Sequence, residues 1–402
     1  MDLIFKILHW VNSICDILKN VNQLYKVIDL FSGCGGSAVG FAQAGFDIKV
    51  ALDIDVHASE TFKLNFPNAH VIKGDISNVS SKDLLNAAGV SNGKKIIIIA
   101  CPPCQGFSTA RRKSQCLTDP RNRLIYEFLR IVEEIKPMAF VMENVPGLAS
   151  GAGKSIFLEV LQRLKEIGYY TVHGIADSAD YGVPQKRKRL VLLGTNNKKI
   201  RLAFPTKTNR NPDILDSTLP PWNSVKNAIG ELQVIKAGEK SKIDHLHVAS
   251  NLADINLKRI ANTPHDGGSR SSWPDDLILE CHKKTNGYKD VYGRMKWNSP
   301  SPTITGGCVM ISKGRYGHPE QDRAISLREA ARLQTFPDIY RFSGNVGEIA
   351  SQIGNAVPCL LAKRIAESLS NSLSLQELNK IENFFSNKNY TTIPNTFQIN
   401  AA

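Results

Sequence analysis

Two cysteines, Cys101 and Cys104, follow a strictly apolar run, Ile96 to Ala100, with Pro102 and Pro103 between them. Thiols at this spacing can form a redox pair, supply half of a zinc site, or present one nucleophile on a stiff loop. The zinc forms lack their other halves. There is no second Cys-x-x-Cys pair, Ala100 rather than proline precedes Cys101, and neither His57 nor His70 is followed by Glu two residues on. A second stretch with chemical potential is VIDLFSGCGGSA (27–38), where an apolar run leads into Gly33, Gly35 and Gly36, and Asp53 stands 20 residues beyond Gly33. Glycines let a backbone approach a ligand, the following helix offers free N–H groups, and the acid can accept from a ribose. The pattern suits NAD and S-adenosylmethionine alike. Asp75, after the run His70–Ile72, is a further acid at the same rim, within reach of an adenine amino group, and Glu143 ends another apolar run. Gly151-Ala-Gly153-Lys154-Ser155 ends like a phosphate-binding loop, but Leu148 stands where that loop requires its first glycine.

These groups need a frame that brings them to one rim. Short apolar runs at Val27–Phe31, Ile48–Leu52, His70–Ile72, Ile96–Ala100, Ala139–Met142 and Leu190–Leu193 read as strands, and Leu124–Ile135 and Ile156–Ile167 have the spacing of amphipathic helices. Buried strands alternating with helices predict an α/β fold: a mostly parallel sheet with helices on both faces and ligands at the strands' carboxyl ends. After about Pro205 this rhythm stops. To about Gly344 the chain is irregular, and basic residues are interleaved with Trp222, Trp273, Tyr288, Tyr292, Trp297 and Tyr316, which predicts a smaller region built for surface contact. Leu327–Phe336 and Leu360–Leu369 return to helical spacing, and the polar tail beyond Leu373 is expected to be loosely ordered. Ahead of the sheet, Leu3, Ile7, Val11, Ile14, Leu18 and Val21 predict an amphipathic helix that serves packing.

The 402 residues carry a net charge of +13 with 42% hydrophobic and 22% charged residues, which excludes global disorder and leaves room for a second domain. No apolar run is long enough to cross a bilayer. Lys6, Asp16 and Lys19 interrupt the apolar N-terminus, so a soluble, cytoplasmic protein is expected. Eight cysteines without regular spacing fit a reducing compartment better than a disulfide scaffold. From Tyr181 to Arg210 the chain holds Lys186, Arg187, Lys188, Arg189 and five further basic residues with no acid, a stretch suited to a polyanion.

Taken in order, VIDLFSGCGG (27–36), GD (74–75), PPCQGFS (102–108), DPRNRLIYEF (119–128), MENVPGL (142–148), YGVPQKRKRLVLLG (181–194), PTITGG (302–307), LREAARLQTFPDIY (327–340) and QIGNAVP (352–358) resemble the DNA (cytosine-5) methyltransferases. The resemblance spans Val27 to Pro358. It implies the methyltransferase form of the α/β fold, Rossmann-like and dependent on S-adenosylmethionine. It also implies a division into an N-terminal helical extension (1–24), a catalytic and cofactor-binding domain (25–204), a target-recognition domain (205–345), a segment returning to the catalytic domain (346–373) and a tail (374–402).

The chemistry of such enzymes asks for these groups. Cytosine C5 is too electron-poor to attack a methyl sulfonium until a nucleophile adds at C6, and Cys104 would be that nucleophile. Its thiol ionises near neutrality only in a cation-rich setting, which Arg187 and Arg189 would supply. Glu143 would donate to N3 of the ring, its burial after an apolar strand favouring the protonated carboxyl. By the same resemblance Asp29, Phe31, Gly33 and Gly35 form the cofactor loop, Asp53 binds the ribose, Asp75 the adenine, and Asn355 and Val357 close the pocket. Ile76, Pro102 and Leu124 join the cofactor set, as does Ile54, which stands where many relatives carry a larger side chain against the adenine. Gln105 and Ser108 support the catalytic loop on the DNA side, Arg189 would hold the cytosine carbonyl, and Thr303 lies near the flipped nucleotide's phosphate. Arg270 and Arg294 are candidate groove readers.

The function this implies is transfer of a methyl group from S-adenosylmethionine to C5 of a cytosine flipped out of a short duplex DNA sequence, leaving S-adenosylhomocysteine and needing no metal. A monomeric bacterial enzyme acting on nucleoid DNA, alone or beside a restriction endonuclease of the same site, is expected. A tRNA cytosine methyltransferase, a regulator with a vestigial site and a thiol redox enzyme are the rivals. The long recognition segment disfavours the first, and intact Cys104, Glu143 and Arg189 the second.

Overall fold

β-Branched residues suit a pleated, buried backbone, and the strand Ile96–Ala100 is aliphatic and buried at every position. The computed structural model describes residues 21–103, 123–215, 218–284 and 290–386. Within them seven strands make one sheet: β1 Lys26–Leu30, β2 Asp47–Asp53, β3 His70–Lys73, β4 Ile96–Ala100, β5 Ala139–Asn144, β6 Tyr170–Asp177 and β7 Lys188–Thr195. Their order is β3-β2-β1-β4-β5-β7-β6. β1 to β5 pair in parallel, and β7 runs antiparallel to both β5 and β6.

The mostly parallel α/β sheet expected from the sequence is present, with one strand more. β6 is a sheet edge whose residues are mostly exposed or half-buried, so it carries no apolar run to betray it. The reversal of β7 matters for the site. Glu143 pairs with Val191 and Asn144 with Leu190, so the start of β7 lies where β5 ends. The basic stretch leading into β7 is thereby delivered to the rim formed by the carboxyl ends of the parallel strands.

Side chains leave alternate faces of each strand, and both faces are covered. Val27, Ile97 and Val141 pack with Phe41 of the helix Gly36–Gln43 and with Leu361, Ile365 and Leu369 of the helix Cys359–Ser386. On the other face Ile28, Ile98 and Phe140 meet Phe128 and Val132 of the helix Leu124–Ile135 and Val160 of the helix Lys154–Glu166. Each such burial contributes roughly 1.5–3 kcal/mol, and together these layers fix the rim. The glycines at 151 and 153 form a short turn into the helix Lys154–Glu166.

The helix Cys359–Ser386 continues past Leu373, which corrects the expectation of a loose tail from residue 374. The N-terminal amphipathic stretch up to residue 20 lies outside the described residues, as does 387–402. Between Pro205 and Gly344 the chain forms short helices and isolated bridges. The aromatic residues expected at its surface are largely inside: Trp273, Tyr292 and Tyr316 are buried. Trp273 and Tyr292 meet edge to face at 5.2 Å in a small core with Leu252, Ile260 and Ile311. Tyr288 lies outside the described residues. Among the described residues no helix is long and apolar enough to cross a membrane.

Candidate active site

Strand order reverses between β1 and β4, and a cavity of about 980 Å³ opens there, where open α/β sheets bind ligands. After β1 the backbone turns through three left-handed residues, Phe31 (φ 58°), Gly33 (51°) and Gly35 (92°). For a phenylalanine this costs on the order of 1–3 kcal/mol and persists only where the surroundings impose it, a habit of binding sites. The Gly33 N–H donates to Asp53 Oδ2 at 2.7 Å and the Asp55 N–H to Oδ1 at 2.9 Å, so the acid ending β2 is locked to the glycine turn. Burial raises the Asp53 pKa. Asp75, after β3, accepts from the Ser77 N–H at 2.9 Å, and its hydrogen bonds with Ser77 lower its pKa. Ile54 is 68% exposed on the rim. Ile76, Pro102, Leu124, Asn355 and Val357 complete this wall. Gly36 must be a glycine on steric grounds, because a Cβ there would collide with the Val357 carbonyl.

Two residues of the sequence-derived cofactor set do not face the cavity. Gly35 packs beneath Tyr340 and Phe62. Asp29 is fully buried, and neither of its carboxylate oxygens has a hydrogen-bond partner among the described residues. Burial, with Asp53 adding to it, raises the Asp29 pKa well above the usual carboxylate range.

At the other end of the cavity stands Glu143, with Arg189 Nε 2.8 Å from its Oε1. That N–H is not aimed at the oxygen, so Oε1 is buried with no hydrogen-bond donor among the described residues. Glu143 thus stands after the apolar strand with a guanidinium against it. Asn144 Nδ2 donates to the Pro102 carbonyl at 2.9 Å and ties the end of β5 to the Pro-Pro loop. Cys104, Gln105 and Ser108 lie outside the described residues. Cys101 is half-buried on the cavity wall, its Sγ 3.5 Å from Ser37 Oγ. Burial above all, then the charges of Glu143 and Asp29, pushes its pKa well up, which unfits it as a nucleophile.

The profile of the C-5 cytosine-specific DNA methylases matches residues 25–371. The chain belongs to this family. It is 40% identical over 353 residues to the type II methylase M.HgiDII of Herpetosiphon aurantiacus, covering 86% of this chain and 95% of that relative. It is 35% identical over 343 residues to the type II methyltransferase M1.HphI of Haemophilus parahaemolyticus, covering 85% and 86%. A solved DNA modification methyltransferase encoded within an E. coli prophage matches with a TM-score of 0.66 at 27% identity, over 87% of this chain and 99% of that one. The protein is a DNA (cytosine-5)-methyltransferase.

In this methylase two arginines differ from what their sequence context suggests. Arg187 is buried, donating from Nη1 to the Ile304 carbonyl at 2.8 Å and from Nη2 to those of Gly354 and Ala356 at 3.2 and 3.1 Å. Burial, with Arg189 beside it, pulls its pKa down to about 9, so it remains charged at neutral pH. Its two terminal nitrogens are committed to backbone, so it ties the cavity wall together, while Nε is buried with no hydrogen-bond partner among the described residues. Arg294, expected to read a groove, is fully buried. It donates to the carbonyls of Ile260, Thr263, His318 and Gln321 and pairs with Asp322, so it ties segments between 260 and 322 together and has no donor to offer a base. Arg270 is half-buried with Nη1 3.3 Å from His282 Nε2. Thr303 lines the cavity and donates to the Lys186 carbonyl at 2.8 Å.

Sequence reasoning did not anticipate Asn144, which places the Pro-Pro loop, or Gln185 and Gln334, whose buried amides meet at 2.8 Å. Asn144 and Gln185 stand inside quoted motifs, beside Glu143 and Arg187, and that adjacency was the available signal. Gln334 also stands inside a quoted motif (327–340), but no candidate site residue lies beside it.

Proposed function

We propose that the methylase modifies one cytosine within a short duplex sequence, using S-adenosylmethionine, and that it guards DNA against an endonuclease of the same specificity. The observation that carries this reading is the continuity of the cavity from the glycine turn and Asp53 to the Glu143–Arg189 pair, beside the loop that leads to Cys104. The protective role is supported by the type II names of its relatives.

The donor set suits S-adenosylmethionine. Asp53 is fixed to accept from ribose hydroxyls, Asp75 can accept from an amino group, and Ile54 offers an apolar shelf. When bound, the cofactor supplies an electrophilic methyl group on sulfonium sulfur. Cys104 adds to C6 of the flipped cytosine, making C5 nucleophilic. Glu143, with an oxygen lacking a hydrogen-bond donor, meets the ring's N3 and amino edge. Arg189 stands next to it to hold the carbonyl oxygen. Lys186 and Lys188 line the cavity and would meet phosphates of the strand that carries the flipped cytosine. The domain division read from the sequence, with 25–204 catalytic, 205–345 recognising the target and 346–373 returning, is proposed on the same basis.

The test is expression in a bacterium lacking cytosine methylation, with 5-methylcytosine mapped across the genome at base resolution and Cys104→Ser as control. Methylation at one short motif, lost in the control, is expected. A well-folded protein that leaves DNA unmodified, or that labels tRNA instead, overturns the reading.

A further inference from the structure

Two backbone segments remote in sequence share the cavity wall: Thr303 and Thr305 on the target side, Gly354 to Val357 on the cofactor side. They touch, because a Cβ on Gly354 would collide with the backbone of Thr305 and Gly306. Behind them runs an unbroken series of buried amides. The Ile304 N–H donates to Gln185 Oε1 at 2.9 Å. Gln185 Nε2 donates to Gln334 Oε1 at 2.8 Å and to the Leu333 carbonyl at 3.2 Å. Gln334 Nε2 donates in turn to the carbonyls of Ile353 and Ala356, at 2.6 and 3.1 Å. Arg187 duplicates the path, spanning from Ile304 to Gly354 and Ala356 with its two terminal nitrogens.

Both glutamines are fully buried, and neither lines the cavity. Each amide accepts on the target side and donates on the cofactor side. A displacement of either segment therefore breaks bonds at both ends of the series. A buried amide left without its partner costs about 1–3 kcal/mol, so the two segments are held to one arrangement.

We infer that Gln185, Gln334 and Arg187 form a positioning knot that makes the target seat and the cofactor seat one cooperative unit. Filling the cofactor seat orders the shared wall, and DNA then binds without meeting that ordering cost again. Linkage requires the converse, with the same factor. Gln334 touches neither ligand and acts only through the segments it ties. The inference rests on the function proposed above.

The test compares binding of a duplex carrying the mapped motif with and without saturating S-adenosylhomocysteine, and calorimetry of S-adenosylhomocysteine with and without duplex. In the wild-type protein each ligand should tighten the other on the order of tenfold. Gln334→Met, similar in volume but without the amide, should leave each separate affinity close to wild type and lower the ratio severalfold, the Arg187 tie remaining. Gln185→Met breaks the same series from the target side and should do likewise, which keeps the test open if one variant does not fold. A folded variant that retains the wild-type ratio overturns the inference, as does a wild-type ratio of one. Failure of both variants to fold assigns the knot to stability alone and overturns the coupling. A wild-type protein that binds neither ligand instead overturns the functional reading, and the inference with it.

Discussion

At the scale of single residues the active site is a matter of which charges are free. Of the two thiols, Cys101 is half-buried beside Ser37 and near Glu143, a setting in which a thiolate is costly. Cys104→Ser should lower methyl transfer by about 10³-fold or more, as loss of other covalent nucleophiles does, while Cys101→Ser retains most of it. Radiolabel transfer to duplex DNA checks this, and equal loss from both changes would sink the assignment. Asp29 allows a second test. Its folded pKa is raised, so the unfolded chain gives up the proton first as pH rises, and stability falls from about pH 4 upward until the buried carboxyl also ionises. Asp29→Asn removes that loss. The melting temperature of the variant minus that of wild type should grow more positive from about pH 4 to pH 8; a difference that does not vary with pH contradicts it. Glu143, Arg189 and Asp53 were legible because reaction chemistry and short spacing both name them. Arg294 was not: its partners lie 24 to 34 residues away, and an arginine amid polar residues looks like surface until the chain folds around it.

At the scale of elements, what reads from sequence is what is buried on both sides. β4 is visible as four isoleucines and an alanine, whereas β6 mixes Tyr170, His173 and Gly174 and presents much of itself to solvent. The antiparallel entry of β7 is equally silent in the sequence, since direction is set by the connection and not by side-chain type, yet it brings Arg189 to Glu143. The first helix after β1 shows how tightly elements constrain the cofactor end. Its opening residue, Gly36, sits against the carbonyl of Val357, so the returning segment closes directly over the glycine turn. Gly36→Ala should cost about 1–3 kcal/mol through overpacking and weaken binding of S-adenosylhomocysteine. Urea unfolding and calorimetry measure the two effects; a substitution that is neutral in both would show that the close approach is not needed.

At the scale of the whole molecule the excess charge of +13 has a direction as well as a size. Many of the arginines are consumed internally: Arg187, Arg294, Arg323 and Arg328 are buried and bonded to backbone or carboxylates. What remains for a polyanion is mostly lysine, and at the cavity mouth, among the described residues, it is Lys186 and Lys188, carried there by the loop into β7. Lys186 is steered by its packing over the Trp222 ring, its Nζ 5.0 Å from the centroid. Each phosphate neutralised by such a side chain releases condensed counterions, so the logarithm of the DNA association constant falls linearly with the logarithm of salt concentration, by about 0.9 per contact. Replacing both lysines with glutamine should reduce that slope by about 2 on any duplex, irrespective of sequence. The preference for the mapped motif over random duplex should persist, since phosphate contacts position the protein without reading bases. Fluorescence anisotropy across a salt series measures both quantities. An unchanged slope would place the DNA on another face of the molecule, and a lost preference would make these lysines base readers.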